Sequence, residues 1–324
     1  MTDYKTIHGK KIKYLSSDPP GPVGEGQVWY NSTATEFKSS VKVAAWASGG
    51  NLNTARAYMA GFGTQTAAVS SGGNITAVSA LSEEYNGTSW TEGDDLGTAR
   101  RGLKAAGTLT AGVVFGGSDG SVPTQYALVE EYNGTSYSEV NNLPSNKNNH
   151  SGCGTLTAGL SFGGSPDPTS VKTFEYDGTS WTAGGDLNAG GSQQSATGTQ
   201  TAALGSGGYN VATNEEYDGS SWSEVNNLPA SRDGAGTSGP QTAALIFGGH
   251  NPGTAAGLAL SLNYDGTNFS NGPNLGTARY ALGLTSGTAA TNTSAIAFGG
   301  GTPPNSNATE EFTEAGTVKV ITDS

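Results

Sequence analysis

Three histidines and one cysteine are the side chains of this sequence best suited to holding a transition metal: His8, His150, His250 and Cys153. His150 and Cys153 lie close together in His-Ser-Gly-Cys-Gly-Thr. One such pair falls short of the three or four ligands that a protein metal site takes. Cys153 borders an apolar run, as expected of a small buried thiol. Carboxylate pairs are the second candidate equipment, because glycoside hydrolysis places two carboxylates around one sugar. Glu-Glu pairs stand at 83/84, 130/131, 215/216 and 310/311. Their recurrence favours solvated strand positions over a unique active site. No P-loop, Gly-x-Ser-x-Gly or His-Glu-x-x-His pattern occurs. The third candidate is a basic position. Four residues after a recurring Leu stand Arg56, Arg100, Lys147, Gly191, Arg232 and Arg279, so five of six equivalents are basic. One reading is structural pairing inside the scaffold. The other is a basic ring on one face that engages acidic groups of a partner or glycan.

The elements that carry these residues recur along the chain. One signature is a run ending in a Gly pair, as in TQTAAVSSGG (64–73), TLTAGVVFGG (108–117), TLTAGLSFGG (155–164), TQTAALGSGG (199–208), PQTAALIFGG (240–249) and TNTSAIAFGG (291–300). The second Gly of each pair recurs at spacings of 44, 47, 44, 41 and 51 residues, the length of a four-stranded propeller blade. A second signature reads EEYNGTSW (83–90), EEYNGTSY (130–137), FEYDGTSW (174–181), EEYDGSSW (215–222) and LNYDGTNF (262–269). The apolar run suits a strand buried on both faces. Asn-Gly and Asp-Gly between strand-forming residues predict hairpin turns. No sustained helical period appears. The expectation is an all-β, six-bladed β-propeller of four-stranded blades over residues 41–324, preceded by an arm at 1–40.

A Gly doublet, then Tyr, then Trp, then Leu-x-x-x-Arg resembles the kelch repeat, best seen in EEYDGSSWSEVNNLPASR (215–232). The resemblance covers about 45–312 and implies the propeller fold, while leaving function open. Some kelch-type propellers are copper oxidases, which need a Tyr crosslinked to a Cys plus two His and another Tyr. The three His and one Cys here do not supply that set in one repeat. Asp177-Gly-Thr-Ser-Trp181 is similar to a sialidase Asp-box, but its Asp-to-Trp spacing is one residue short. No cofactor or metal is expected.

Only five Tyr-to-Trp hairpins accompany the six Gly-pair runs. Trp46-Ala-Ser-Gly-Gly-Asn-Leu52-Asn-Thr-Ala-Arg56 matches Trp90-Thr-Glu-Gly-Asp-Asp-Leu96-Gly-Thr-Ala-Arg100 in register. The strand near Trp46 is therefore expected to complete the last blade and close the ring. The competing candidate for that outer strand is Gly316-Thr-Val-Lys-Val-Ile321.

Net charge is −12 over 324 residues, with 51 Gly and 13% charged residues. That balance disfavours generic binding to nucleic acid or anionic membrane, and no apolar stretch approaches a membrane span. One cysteine permits no intrachain disulfide. The opening Met-Thr-Asp-Tyr-Lys-Thr lacks an apolar h-region, so synthesis in the cytoplasm is expected. Residues 1–42 carry six Lys against four acidic residues and are weakly basic. Gln27–Tyr30 and Thr35–Lys38 read as a hairpin. The segment Gly-Gln-Val-Trp-Tyr-Asn-Ser-Thr with Phe37-Lys38, after a Pro-rich linker, resembles short modules of bacteriophage tail and fibre proteins. The Gly/Thr/Ser/Asn-rich repeats resemble kelch-like proteins of marine phages. The resemblance implies a non-enzymatic virion protein of an oligomeric assembly. Its arm, with Lys10, Lys11, Lys13, Trp29 and Tyr30, would dock on other tail proteins, while its propeller binds a host surface glycan or a neighbouring subunit. The alternatives are an intracellular kelch adaptor binding an acidic peptide and a glycan-cleaving propeller enzyme. Specificity is expected in the loops after the Gly pairs: Ser118–Thr124, Ser165–Ser170, His250–Leu258 and Gly301–Asn307.

Overall fold

The computed structural model describes residues 12–19, 27–121, 124–165, 170–254, 256–284 and 291–321. Among these residues every regular element is a β-strand. The chain divides into two compact units. One is Trp46–Thr313; the other joins Met1–Ala45 with Glu314–Ser324.

Among the described residues the larger unit holds five four-stranded antiparallel sheets; four are built from consecutive strands, and in the fifth a two-stranded hairpin, His250–Asn251 with Ala256–Gly257, intervenes between the second and third strands. Sheet 1 is Ala60–Thr64, Ala67–Ser71, Ser82–Tyr85 and Trp90–Glu92. Sheet 2 is Lys104–Thr108, Ala111–Phe115, Val129–Tyr132 and Tyr137–Glu139. Sheet 3 is Ser151–Thr155, Ala158–Phe162, Thr173–Tyr176 and Trp181–Ala183. Sheet 4 is Ser195–Thr199, Ala202–Ser206, Asn214–Tyr217 and Trp222–Val225. Sheet 5 is Gly236–Ser238, Ala244–Phe247, Ser261–Tyr264 and Phe269–Asn271. Sheet 6 begins with Gly283–Leu284 and Ser294–Phe298, followed by the start of Thr309–Val320 and the end of Glu36–Ser48. The first strands of successive sheets are neighbours, and Gly283–Leu284 neighbours Ala60–Thr64.

The repeated residues explain these sheets. The second strand, such as Ala111–Phe115, is apolar because it is buried on both faces. Gly112 sits where a Cβ would lie 2.3 Å from the Phe62 ring, so adjacent sheets meet at that glycine. The Gly pair ends the strand with both residues at positive φ, 69° and 106° for Gly116 and Gly117. In the outer hairpin, Asn86 Oδ1 accepts the backbone N–H groups of Thr88 and Ser89, both at 2.9 Å, while Gly87 takes φ 88°.

Aromatic rings join the sheets. Each Trp that starts an outer strand packs on a Phe of the preceding sheet: Trp90 on Phe298 at 4.8 Å, Trp181 on Phe115 at 5.1 Å and Trp222 on Phe162 at 4.6 Å. Trp46 does the same to Phe247 of sheet 5 at 4.8 Å. It also lies 5.3 Å from Phe312, as Trp90 lies 5.0 Å from Tyr85. The Trp46 strand thus occupies the fourth position of sheet 6, hydrogen-bonded from Gly49 N–H to Thr309 O at 2.9 Å. Residues 316–320 instead continue the third strand.

The Glu-Glu pairs are not solvated. The first Glu of each pair is buried, with Glu83, Glu130 and Glu215 at 1%, 2% and 1% exposure. The second is half-buried and accepts a tyrosine hydroxyl from the next sheet. Tyr176 donates to Glu131 at 2.7 Å, Tyr264 to Glu216 at 3.0 Å and Tyr85 to Glu311 at 2.5 Å; Tyr132 donates to Glu84 and Tyr217 to Glu175. The sixth junction replaces both partners at once, with Asn263 for Glu and Phe312 for Tyr. Alternation hid this, because a strand position that looks outward within one sheet faces the neighbouring sheet.

In the smaller unit Lys13–Leu15 pairs parallel with Val28–Asn31, which pairs antiparallel with the start of Glu36–Ser48. The returning strand is thus Glu36 onward, and 314–320 pairs beyond it, with Ile321 N–H donating to Phe37 O at 2.8 Å. Asp18 organises one face, accepting from Trp29 Nε1 at 3.1 Å, Asn31 Nδ2 at 2.8 Å and Lys38 Nζ at 2.9 Å. These bonds, Asn31's foremost, hold its carboxyl below the usual range.

The interfacial tyrosines set an alkaline limit on stability. Burial first, and then the hydrogen bond to glutamate, pushes Tyr85 and Tyr217 up to about 12. An unfolded tyrosine ionises near pH 10. Stability is therefore fully present below pH 10 and is lost as pH rises through about 12. Circular dichroism and tyrosinate absorbance should change together in that window. Replacing Tyr217 by Phe and Glu175 by Asn, as at the sixth junction, should reduce the alkaline slope. An unchanged slope in that variant would refute the assignment.

Candidate functional site

The five basic residues singled out in the sequence lie inside the larger unit. Arg56, Arg100 and Arg279 are 0% exposed, Lys147 1% and Arg232 4%. Three of them meet a glutamate of their own repeat: Arg56 Nη2 to Glu83 Oε1 at 3.0 Å, Arg100 Nη1 to Glu130 Oε1 at 2.7 Å and Arg279 Nη2 to Glu310 Oε1 at 2.5 Å. Where the repeat lacks that glutamate, the cation uses neutral acceptors. Lys147 Nζ donates to Gly163 O at 2.7 Å and Ser170 Oγ at 2.8 Å and lies 5.6 Å over the Phe174 ring. Arg232 Nη1 donates to Leu260 O at 3.2 Å. Where the repeat lacks the cation, at Gly191, Glu215 accepts Asn188 N–H and Ala189 N–H, both at 2.8 Å. Burial pushes Lys147 down to about 8 and Arg232 down to about 10. This is the structural pairing reading of the basic position; buried side chains with internal partners present no charge to a ligand.

The metal candidates disperse as well. His150 is 0% exposed beside Phe115, and burial, then Lys104 and Lys147, keeps it well below the usual imidazole range. Cys153 is buried and pushed up to about 12 by burial. His250 faces Asp233, Nδ1 to Oδ2 at 3.3 Å. Among the described residues no group of three or more His, Cys, Asp or Glu side chains is placed to hold a metal. His8 lies outside the described residues.

The positions that differ from repeat to repeat begin one residue past each buried base. There the six repeats read Ala57, Arg101, Asn148, Ser192, Asp233 and Tyr280, followed by Tyr58, Gly102, Asn149, Gln193, Gly234 and Ala281. The second set is uniformly left-handed, with φ of 58°, 66°, 51°, 58°, 56° and 48°. Four of the six are not glycine, so this backbone is held at a cost of roughly 1–3 kcal/mol per residue. What holds it is a circuit of backbone hydrogen bonds. Gly102 N–H donates to Tyr58 O, Asn149 to Gly102 and Gln193 to Asn149, at 2.9, 2.9 and 2.6 Å. Gly234 donates to Gln193, Ala281 to Gly234 and Tyr58 to Ala281, at 2.9, 2.8 and 2.9 Å.

The loops after the Gly pairs border this circuit, because isolated bridges join Ala57 to Asn74, Arg101 to Ser118, Asp233 to His250 and Tyr280 to Gly301. An aromatic and polar cluster gathers on this face. Tyr280 lies 6.4 Å from Tyr58 and 5.4 Å from His250, and the Arg101 guanidinium stands 5.8 Å over Tyr58. Two hollows of about 300 and 430 Å³ flank Tyr280, sharing Gly301 and Pro303 as walls. They are bordered by parts of His250–Leu258 and Gly301–Asn307, two of the four loops expected to carry specificity. The other two loops include residues 122–123 and 166–169, which lie outside the described residues. Sequence reasoning missed Tyr58, Arg101 and Tyr280 because it looked for agreement between repeats; the signal at these positions is disagreement. Below the circuit, Lys104 lines a chamber of about 20 Å³, and burial lowers its ammonium to about 8.

In the smaller unit Trp29 is buried at 1% exposure, Tyr30 is half-buried and Lys13 exposed. Lys10 and Lys11 lie outside the described residues. The Tyr14, Tyr30 and Phe37 rings form one row at 5.1 Å spacings. Tyr14, at 74%, and Phe37, at 46%, are among the most exposed large apolar residues of the protein. No protein-family profile and no curated protein sequence matches this chain.

The buried pairs give a stability prediction. Arg100→Ala strands Glu130 without its cation and should cost about 3–5 kcal/mol in urea denaturation. Arg100→Met combined with Glu130→Leu should recover most of that loss. A single variant within about 0.5 kcal/mol of the parent, the ordinary range for surface changes, would contradict the pairing.

Proposed function

We propose that the six sheets of the larger unit are blades of a closed, six-bladed, kelch-type β-propeller. The hydrogen-bond circuit supports closure, since its last donor, Tyr58, returns to Ala281. The Trp46 strand supports it too, since strands from both ends of the sequence share sheet 6. Closure of this kind removes the strand edges that invite aggregation.

The protein is, on this reading, a non-enzymatic phage virion component associated with a tail or fibre. It is made in the host cytoplasm, and its propeller binds a host surface glycan or a neighbouring virion protein. The carrying observation is the division within each repeat. Charged, tyrosine and tryptophan positions repeat and are committed to internal contacts, whereas the position after the buried base differs in every repeat, and one of these residues, Tyr280, lines both hollows together with residues of the loops that follow the Gly pairs. Variable loops on a rigid scaffold are the usual carriers of recognition. The exposed Tyr14–Tyr30–Phe37 row supports a docking role for the amino-terminal arm, because exposed apolar clusters mark interaction sites.

Two measurements check this reading. The chain should co-purify with intact particles and bind host-surface polysaccharide without releasing reducing sugar. Tyr14→Glu with Phe37→Glu should lower incorporation into particles at least tenfold while polysaccharide binding persists. Released reducing sugar would instead establish the glycan-cleaving enzyme, and absence from purified particles would rule out the virion role.

A further inference from the structure

Resting on the reading of the propeller as a glycan-binding module, we propose that the groove crossing Tyr280 is its ligand site and that it takes an uncharged pyranose segment of a polysaccharide. The groove consists of the two hollows of about 300 and 430 Å³ on either side of Tyr280. Each is within the size range of small-molecule sites, roughly 300–1,000 Å³. Its lining alternates apolar and neutral polar surface: Tyr280, Ile75 and Pro303 against Asn74, Thr76 and Asn305. A pyranose ring has the complementary character, with C–H groups on its faces and hydroxyls around its edge. Aromatic rings bury such apolar faces well, and amide and hydroxyl groups can both donate and accept around the rim.

Charge decides against an anionic ligand. No Asp, Glu, Lys or Arg lines either hollow among the described residues, and the imidazole of His250 already faces Asp233 at 3.3 Å. The chain as a whole carries −12, which repels a polyanion. The five bases of the recurring position are buried, and the Arg101 guanidinium of the adjoining cluster stands over the Tyr58 ring at 5.8 Å and lines neither hollow.

Gly301 makes the groove possible. It pairs with Tyr280 through Gly301 N–H to Tyr280 O at 2.7 Å. A Cβ at Gly301 would lie 2.9 Å from Tyr280 Cζ, so any side chain there would crowd the ring. The absence of a side chain leaves that ring accessible from the groove.

The test is affinity electrophoresis of the full chain through gels containing dextran, mannan, galactan or alginate. At least one neutral polysaccharide should retard the protein and alginate, a polyuronate, should not. Tyr280→Ala and Gly301→Val, one removing the platform and the other covering it, should each weaken retardation at least tenfold. Tyr280→Phe should retain it, and Tyr209→Ala, at an exposed tyrosine outside the groove lining, should leave it unchanged. Melting curves identify any variant that fails to fold, and Tyr280→Phe and Gly301→Val then carry the comparison. Retardation that survives both Tyr280→Ala and Gly301→Val overturns the groove but leaves the glycan-binding reading intact. Retardation by alginate alone overturns the uncharged ligand. Absence of retardation in all four gels overturns the site and the glycan reading together.

Discussion

The six-membered backbone circuit is the constraint on which the rest of the larger unit depends. Each of its hydrogen bonds contributes only about 1 kcal/mol net. Its importance is geometric. Every donor is a left-handed residue two positions before the first strand of a sheet, and every acceptor is its equivalent one repeat earlier. Fixing those six residues fixes where six strands begin and which sheets are neighbours. The Gly pairs follow from the same crowding. At Gly116, a Cβ would lie 2.5 Å from His150 Cε1 and 2.7 Å from Lys147 O, in the segment that leads into the next sheet.

Around that circuit the sheets are joined by charges and hydroxyls that the fold buries rather than exposes. A buried ion pair seldom adds much net stability, because desolvation offsets attraction, but losing one partner is costly. The repeats obey that asymmetry. Lys147 faces Phe174 where a glutamate would stand, Arg232 has Leu262 at the same register, and Glu215 is satisfied by backbone N–H groups where Gly191 supplies no cation. Asn263 and Phe312 replace a Glu and a Tyr together at one junction. In none of these repeats is a buried carboxylate left without a donor.

The legibility of the sequence follows from the range of the interactions. Asn-Gly and Asp-Gly turns are local chemistry, and each lies at its expected hairpin, as Asn86 and Asp177 illustrate. The register match between Trp46 and Trp90 was readable because packing against the preceding sheet demands the same ring at the same place. The partners of the glutamates were not readable in this way. Glu83 meets Arg56 across 27 residues and Glu84 meets Tyr132 across 48, so no window of one strand reveals either contact. The smaller unit also drew 314–320 from the far end of the chain, a pairing that composition does not signal.

The same logic separates scaffold from recognition more sharply than conserved spacing does. A residue committed to a contact within a repeat or between successive sheets must recur, because its equivalent performs the same task in the next sheet. Arg56, Arg100 and Arg279 recur for that reason, and burial removes them from any role with a ligand. Position 280 is under a different constraint. Its backbone serves the bridge to Gly301, which the backbone of any residue but proline can form, while its side chain is free to differ from Ala57, Arg101, Asn148, Ser192 and Asp233. A fold that fixes the backbone and releases the side chain at the same residue can vary what it recognises without altering how it holds together. On the proposed reading the break in the repeat pattern is itself the physical indicator of the site, since Tyr280 is where that break coincides with the two hollows.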